Sequence, residues 1–169
     1  MTHRDLVEAM SRPSFYPQGA ETVELIQTHI SFIFIAGDFV YKVKKAVDFG
    51  FLDFTSTSLE KRQYYCREEL RLNRRLAPEI YLDVVEICED SQGHLHLGGE
   101  GRLVEYALKM KRLPQERMLK KLLAEGTVER SVMDNVAARL ADFHRRAATG
   151  GQIDRIGSIE TTGRRFLYR

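Results

Sequence analysis

Three short segments rich in β-branched and aromatic residues follow one another near the start of the chain. They run from Val23 to Thr28, from Ser31 to Ala36 and from Phe39 to Lys45. Such residues favour strands. Ala36-Gly37-Asp38 is a tight-turn signal, because glycine tolerates positive φ. Connections this short join antiparallel neighbours, so we predict a three-stranded antiparallel meander.

A long helix is predicted after the meander. Thr57-Ser58-Leu59-Glu60 has the capping-box pattern of a hydroxyl residue followed three positions later by glutamate. Pro78 biases Ala77 away from helical backbone, so the helix should end near Leu76. Helical spacing places on one side Leu59, Arg62, Cys66, Glu69, Leu70, Asn73 and Leu76. Glu69 is therefore expected beside an apolar stripe.

The remaining segments complete an α+β pattern. A short helix is predicted over residues 2–11, and further strands over 81–88, about 95–97 and 103–110. A linker at 111–114 leads to helices over 115–124 and 128–147, and the tail has no clear period. Strands followed by helices predict an α+β fold, with about five antiparallel strands and one long helix. We therefore divide the chain into a sheet domain (1–110), a linker with helices (111–148) and an irregular tail (149–169).

Composition and charge give no indication of a nucleic-acid or membrane partner. The net charge is +2, and 43% of the 169 residues are hydrophobic. No apolar stretch reaches the roughly 18 residues of a membrane span, and we see no secretory signal at the amino terminus. Cys66 and Cys88 lack metal-site spacing, so we expect reduced thiols in a cytoplasmic protein.

Two lysines interrupt the third apolar strand, Phe39-Val40-Tyr41-Lys42-Val43-Lys44. A lysine in such a strand is costly unless its ammonium meets an anion. Strand alternation puts Lys42 and Lys44 on one face, so spacing does not choose between them. One interpretation is an edge strand with lysines on its solvated face. The other is a lysine that binds an anion, with Glu68 and Glu69 of the next helix as partners.

The chain resembles bacterial aminoglycoside-phosphotransferase-like proteins, the group whose longer members fuse this domain to a P-loop kinase domain. The resemblance covers roughly residues 20 to 147. Its motifs are Glu24 to Ser31, Ala36-Gly37-Asp38, Val40 to Lys45, Val47 to Phe54, Leu59 to Arg62, Glu68 to Pro78, Lys109 to Pro114 and Leu140 to His144. The resemblance implies a protein-kinase-like fold, in which a sheet lobe is followed by a hinge and the first helices of a second lobe.

The resemblance also implies roles for individual residues. Lys42 corresponds to the lysine that orients the α- and β-phosphates of ATP, and Glu69 to its helix partner. The hinge, whose backbone would bind adenine, corresponds to Met110, Lys111 and Leu113.

The turn that should cover the phosphates differs from that of protein kinases. No Gly-x-Gly-x-x-Gly joins the first strands. Phosphate contacts would therefore come from Thr28, His29 or Ser31.

Three further motifs are interpreted as structural. Asp48-Phe49-Gly50 spells the magnesium-binding tripeptide of kinases but lies only six residues after Lys42, far ahead of that motif's usual place. Gly98-Gly99-Glu100-Gly101 lacks the Gly-Lys-Ser/Thr ending of a P-loop and is expected to be a hairpin loop. His94 and His96 alternate along a strand without a third metal ligand, which is more typical of surface residues.

The implied reaction is ATP-dependent transfer of a phosphoryl group to a hydroxyl of a small molecule, with ATP and Mg²⁺ as cofactors. The family places its catalytic aspartate and magnesium ligands beyond the Phe143-His144 helix, and the sequence reaches Arg169 without them. We therefore expect a truncated or fragmentary member without turnover of its own, whose helices expose apolar surface that favours self-association.

Two other functions are compatible with the sequence. One is a non-catalytic module of kinase fold that binds a nucleotide or a protein partner. The other, less favoured, is a basic nucleic-acid-binding domain.

Overall fold

The computed structural model describes residues 2–46 and 58–158. The chain divides into two compact units, Met1–Gln115 and Glu116–Arg169. The boundary falls later than the predicted one at residue 110. The reason is that the backbone N–H of Lys111 donates to Ile80 O (2.9 Å) and that of Arg112 to Asp38 O (2.8 Å), which ties both residues to the first unit.

The first unit is built on one antiparallel sheet. Its strands are β1 (Val23–Gln27), β2 (Ser31–Ala36), β3 (Phe39–Lys44), β4 (Tyr81–Glu89), β5 (Leu95–Leu97) and β6 (Arg102–Lys111). Their spatial order is β1-β2-β3-β6-β4-β5, and each neighbouring pair is antiparallel. The predicted meander is confirmed. All six predicted strand segments form strands, so the predicted number of about five becomes six.

One face of the sheet carries the apolar core. Helix α1 (His3–Met10) and the 3-10 turn Pro13–Phe15 contribute side chains that pack against it. From β3, the residues facing this core are Tyr41 and Val43, which are fully buried. The cluster contains Leu6, Met10, Phe15, Tyr16, Phe32, Phe34, Ala36, Tyr41, Val43, Ile87, Val104 and Ala107.

Helix α2 (Leu59–Asn73) covers the opposite face. Its N-cap is Ser58, one residue later than the capping-box pattern predicts, and the Ser58 hydroxyl accepts a hydrogen bond from the N–H of Lys61 (3.3 Å) rather than from that of Glu60. The predicted stripe is confirmed at its centre, where Cys66 is buried and Glu69 is half-buried. Because β3 side chains alternate, its lysines meet α2 while Tyr41 and Val43 meet the core.

Two glycines occupy positions that only glycine fits well. Gly37 turns β2 into β3 with φ 59°, as its tight-turn pattern predicted. Gly101 precedes β6 with φ 136°, and a Cβ there would lie 2.5 Å from Glu89 O. A side chain at residue 101 would therefore force the β5–β6 loop away from β4.

The second unit contains α3 (Leu119–Ala124), α4 (Arg130–Arg145) and α5 (Gln152–Gly157). The tail predicted to be irregular thus includes a short helix. Large apolar side chains are exposed on α3 and α4, namely Leu119, Leu123, Val132, Met133, Val136 and Leu140. Self-association through them stays a prediction. Among the described residues, no helix combines the length and the apolar character needed to cross a bilayer.

The core makes a direct stability prediction. Phe34 is fully buried, so Phe34→Ala should lower the free energy of unfolding by about 3–5 kcal/mol, the cost of a large cavity. Leu72→Ala, at a half-exposed site on α2, should cost less than about 1 kcal/mol. Urea unfolding of both variants measures the difference, and equal losses would contradict this assignment of the core.

Candidate functional site

One carboxylate joins α2 to two lysines of β3. Lys42 Nζ lies 2.8 Å from Glu69 Oε1, and Lys44 Nζ lies 2.7 Å from Glu69 Oε2. The side chains are 24% exposed for Lys42, 8% for Lys44 and 18% for Glu69. The predicted contact between Lys42 and Glu69 is confirmed, and Lys44 shares the same carboxylate.

The position of β3 in the sheet explains this arrangement. β3 lies between β2 and β6, so it is not an edge strand, and the interpretation of its lysines as residues of a solvated edge is wrong. Lys42 and Lys44 point to the face that α2 covers. A helix crossing that face must provide an anion, and Glu69, on the side of α2 that carries Cys66, provides it.

The two lysines keep Glu69 ionised. Burial opposes ionisation of this carboxyl, but the hydrogen bonds and charges of Lys42 and Lys44 outweigh burial and hold the pKa of Glu69 below its ordinary value. The group at the centre of the site is therefore an anion at neutral pH.

A second ion pair fixes the first half of α2. Arg62 Nε donates to Glu105 of β6 at 2.8 Å, and both side chains are largely buried. Burial raises the pKa of Glu105 above its ordinary value, although Arg62 and the backbone N–H of Tyr106 favour its charged form. Between the two ion pairs lies Cys66, where burial raises the pKa of the thiol to about 11. Such a thiol is protonated at neutral pH, as expected of a packing residue.

An apolar patch lies beside Lys42 on the same face. Register pairs Ile33 with Lys42, Ile35 with Val40, and Val40 with Met110. We call the four half-buried residues Ile33, Ile35, Val40 and Met110 the apolar patch. Of these four residues, only Met110 has a role implied by the resemblance. Strand alternation from Lys42 identifies Val40, whereas Ile33 and Ile35 join it only through the register of β2 with β3.

Hydrogen bonds to the rest of the first unit fix most of the backbone of the predicted hinge. Met110 and Lys111 are the last residues of β6, and the amides of Lys111 and Arg112 are bonded to Ile80 O and Asp38 O. For Leu113, whose side chain is exposed, the described part of the chain offers its amide no hydrogen-bond acceptor. Of the predicted hinge residues, Leu113 is thus the one whose N–H has no acceptor among residues 2–46 and 58–158.

The predicted phosphate turn is closed by its own residues. Ser31 N–H donates to Thr28 Oγ1 (3.0 Å), and Thr28 N–H donates to Ser31 O (2.9 Å). Ser31 is fully buried, and its Oγ has no hydrogen-bond partner among the described residues. Ser31 is thus near the predicted turn, but its side chain does not reach a ligand in this arrangement. Thr28 and His29 are exposed.

The Gly98–Gly101 loop and His94 lie away from this site. Asp48-Phe49-Gly50 falls outside the described residues. The Gly98–Gly101 segment forms the loop between β5 and β6, as predicted. His94 Nδ1 lies 3.3 Å from Asp90 Oδ2 on the surface.

Comparison with known proteins gives relatives without an assigned activity. The chain is 31% identical over 144 residues to uncharacterized protein Rv2004c of Mycobacterium tuberculosis and to uncharacterized protein Mb2027c of Mycobacterium bovis. Each match covers 85% of this chain and 27% of the relative, so the chain spans about a quarter of the length of the curated relatives it matches. No protein-family model matches the chain. No solved structure matches it either.

The ion pair predicts a pH-dependent stability. Because the folded pKa of Glu69 is lowered, its contribution is present above the ordinary carboxyl pKa and is lost as the pH falls through the folded pKa. Glu69→Gln should therefore cost about 3 kcal/mol at pH 7, where it removes the carboxylate that both Lys42 and Lys44 contact. The difference from the wild type should shrink as the pH falls toward 3, about one unit below the ordinary carboxyl pKa.

Urea unfolding at several pH values measures this effect. Glu68→Gln is the matched control, because Glu68 is paired with Arg71 on the helix surface (2.7 Å) and should contribute far less. A cost of Glu69→Gln that is the same at pH 7 and pH 3 would contradict the assignment.

The unpartnered hydroxyl of Ser31 gives a separate prediction. Ser31→Ala removes a buried polar atom that has no hydrogen-bond partner in the described part of the chain, and it should leave stability unchanged or raise it by up to about 1 kcal/mol. Thr28→Ala removes the hydroxyl that accepts from Ser31 N–H and should lower stability by about 1 kcal/mol. Thermal unfolding distinguishes the two, and a larger loss for Ser31→Ala would reveal a hydrogen bond at Ser31 Oγ.

Proposed function

We propose that this chain is the nucleotide-binding part of an ATP-dependent phosphotransferase of protein-kinase-like fold that acts on a hydroxyl of a small molecule. The observation that carries the proposal is the Lys42–Glu69 pair at 2.8 Å beside the apolar patch. It places a partly exposed ammonium next to a surface suited to an aromatic base.

The order of elements supports the proposal. A three-stranded meander leads to a helix, the helix leads to further strands, and the last strand, β6, lies beside β3 before the linker begins. The strand lysine and the helix glutamate come from the elements that supply them in kinases. The hairpin strand β5 adds a sixth strand at the edge beside β4.

The residues present fit the polar and apolar parts of ATP. Of the three N–H donors of Lys42, one is directed to Glu69 Oε1, and 24% of the side chain remains exposed. This leaves donors for phosphate oxygens. The apolar patch offers the half-buried contact area that a purine needs, and the N–H of Leu113 offers a donor beyond the end of β6.

The described residues contain no cluster of three metal-ligating side chains. Within residues 2–46 and 58–158, no three side chains among histidine, cysteine, aspartate and glutamate come together as a metal site. Magnesium neutralises phosphate charge in phosphoryl transfer and is usually held by one or two carboxylates together with the phosphates, so we name no magnesium ligand among these residues. The proposal therefore assigns to these residues the nucleotide alone.

In this proposal, the work of the site is electrostatic positioning. Lys42 donates hydrogen bonds to oxygens of the α- and β-phosphates, and Glu69 fixes the direction of the lysine by holding the ammonium from the helix side. The apolar patch excludes water beside this contact, which strengthens it.

The proposal is tested by calorimetric titration of the 169-residue chain with ATP and with adenosine. Lys42→Met should weaken ATP binding by at least about tenfold, the loss of one charge-assisted contact worth about 1.4 kcal/mol. It should leave adenosine binding unchanged, because adenosine lacks phosphates.

Lys109→Met is the matched control. It removes another half-buried strand lysine, whose ammonium lies over the Phe39 ring on the opposite face of the sheet, and it should change neither affinity. The proposal is refuted if the wild type does not bind ATP, or if Lys42→Met binds ATP as tightly as the wild type does.

A further inference from the structure

We propose that Lys44 is a positioning residue, which holds Glu69 through the carboxylate oxygen that Lys42 does not use and so frees Lys42 to contact phosphate. This inference rests on the nucleotide-binding function proposed above. It assigns different tasks to two lysines that the sequence pattern treats alike.

The contacts of Glu69 divide cleanly between its two oxygens. Oε1 accepts from Lys42 at 2.8 Å, and Oε2 accepts from Lys44 at 2.7 Å. Neither lysine displaces the other from the carboxylate. The contact with Lys44 is therefore compatible with any movement of Lys42 toward a ligand.

Burial decides which lysine does which task. The side chain of Lys44 is 8% exposed, and its register partner on β2 is the fully buried Ser31. An ammonium in this position is out of reach of a ligand on the surface. Lys42 is 24% exposed and pairs with Ile33 of the apolar patch, so it is the lysine that a bound nucleotide can reach.

A single lysine would do both tasks less well. When an ammonium turns from a largely buried carboxylate toward a phosphate, the carboxylate loses its partner, and an unpaired buried charge is costly. In this protein Lys44 keeps a charge-assisted hydrogen bond to Glu69 while Lys42 is shared. The movement of Lys42 thus costs less, and Glu69 stays where it can direct Lys42.

The position of α2 is consequently independent of Lys42. The Lys44–Glu69 contact holds the second half of the helix, and the Arg62–Glu105 contact holds its first half. We expect α2 to stay on the sheet whether or not nucleotide is bound.

A double-mutant cycle tests whether Lys44 acts through Glu69. Calorimetry would give ATP and adenosine affinities for the wild type, Lys44→Met, Glu69→Gln and the double variant. Lys44→Met should weaken ATP binding by about fivefold to tenfold and leave adenosine binding unchanged. In the Glu69→Gln background, the same Lys44→Met change should alter ATP affinity by less than about twofold, because the group through which it acts is gone.

Two more variants separate positioning from folding. Lys44→Arg keeps the positive charge and should hold ATP affinity within about threefold of the wild type. If Lys44→Met does not fold, Lys44→Gln replaces it in the cycle, since its amide can donate to Glu69 without a charge. Melting temperatures identify the folded variants. A purely structural role would lower ATP and adenosine affinities by the same factor.

The outcomes are distinct. An unchanged ATP affinity in Lys44→Met, or an equally large loss in the Glu69→Gln background, overturns the role of Lys44 while leaving Lys42 as the phosphate contact. A wild type that does not bind ATP overturns both this inference and the proposed function.

Discussion

The carboxylate of Glu69, held between Lys42 and Lys44, is the contact on which the charged face of this molecule depends. Two ammonium groups on an interior strand are tolerated because α2 brings an anion to them at hydrogen-bond distance. The same contact sets where α2 crosses the sheet, whereas strand register sets the position of the apolar patch relative to Lys42. Removing the carboxylate would leave two largely buried positive charges in its place.

The two faces of the sheet have different roles. One face holds the apolar core, and the other holds the ion pairs of the candidate site. Toward α1, the side chains form a continuous apolar cluster that contains Phe34, Tyr41 and Val43. Toward α2, ion pairs, a protonated thiol and half-buried apolar residues share the surface. Burial of apolar area on the first face provides the main driving force for folding, which allows the second face to keep polar groups that cost stability. β3 links the two, since its alternate residues serve opposite faces.

Much of this arrangement could be predicted from local sequence. Strand-forming segments and short turns gave the antiparallel meander, and the capping signal near Ser58 gave the start of α2. The contact between Lys42 and Glu69 followed from an anion requirement and a resemblance. The choice between Lys42 and Lys44 did not follow from spacing, because residues two apart on a strand are equivalent until burial distinguishes them.

Other features depend on tertiary contacts that spacing does not encode. Ser31 was expected near a phosphate turn, but the hydroxyl of Thr28 closes that turn and Ser31 faces inward. The hinge was expected to follow β6, yet pairing with Asp38 and Ile80 extends ordered backbone to Arg112. The apolar patch was not recognised, because its members come from three strands and meet only in the folded sheet.

The most direct measurement is a crystal structure of the chain with a non-hydrolysable ATP analogue. We predict that Lys42 Nζ contacts α- or β-phosphate oxygens, that the base covers Ile33, Ile35 and Val40, and that Lys44 Nζ stays at about 2.7 Å from Glu69 Oε2. A nucleotide bound elsewhere, or phosphates that leave Lys42 without contact, would contradict the account.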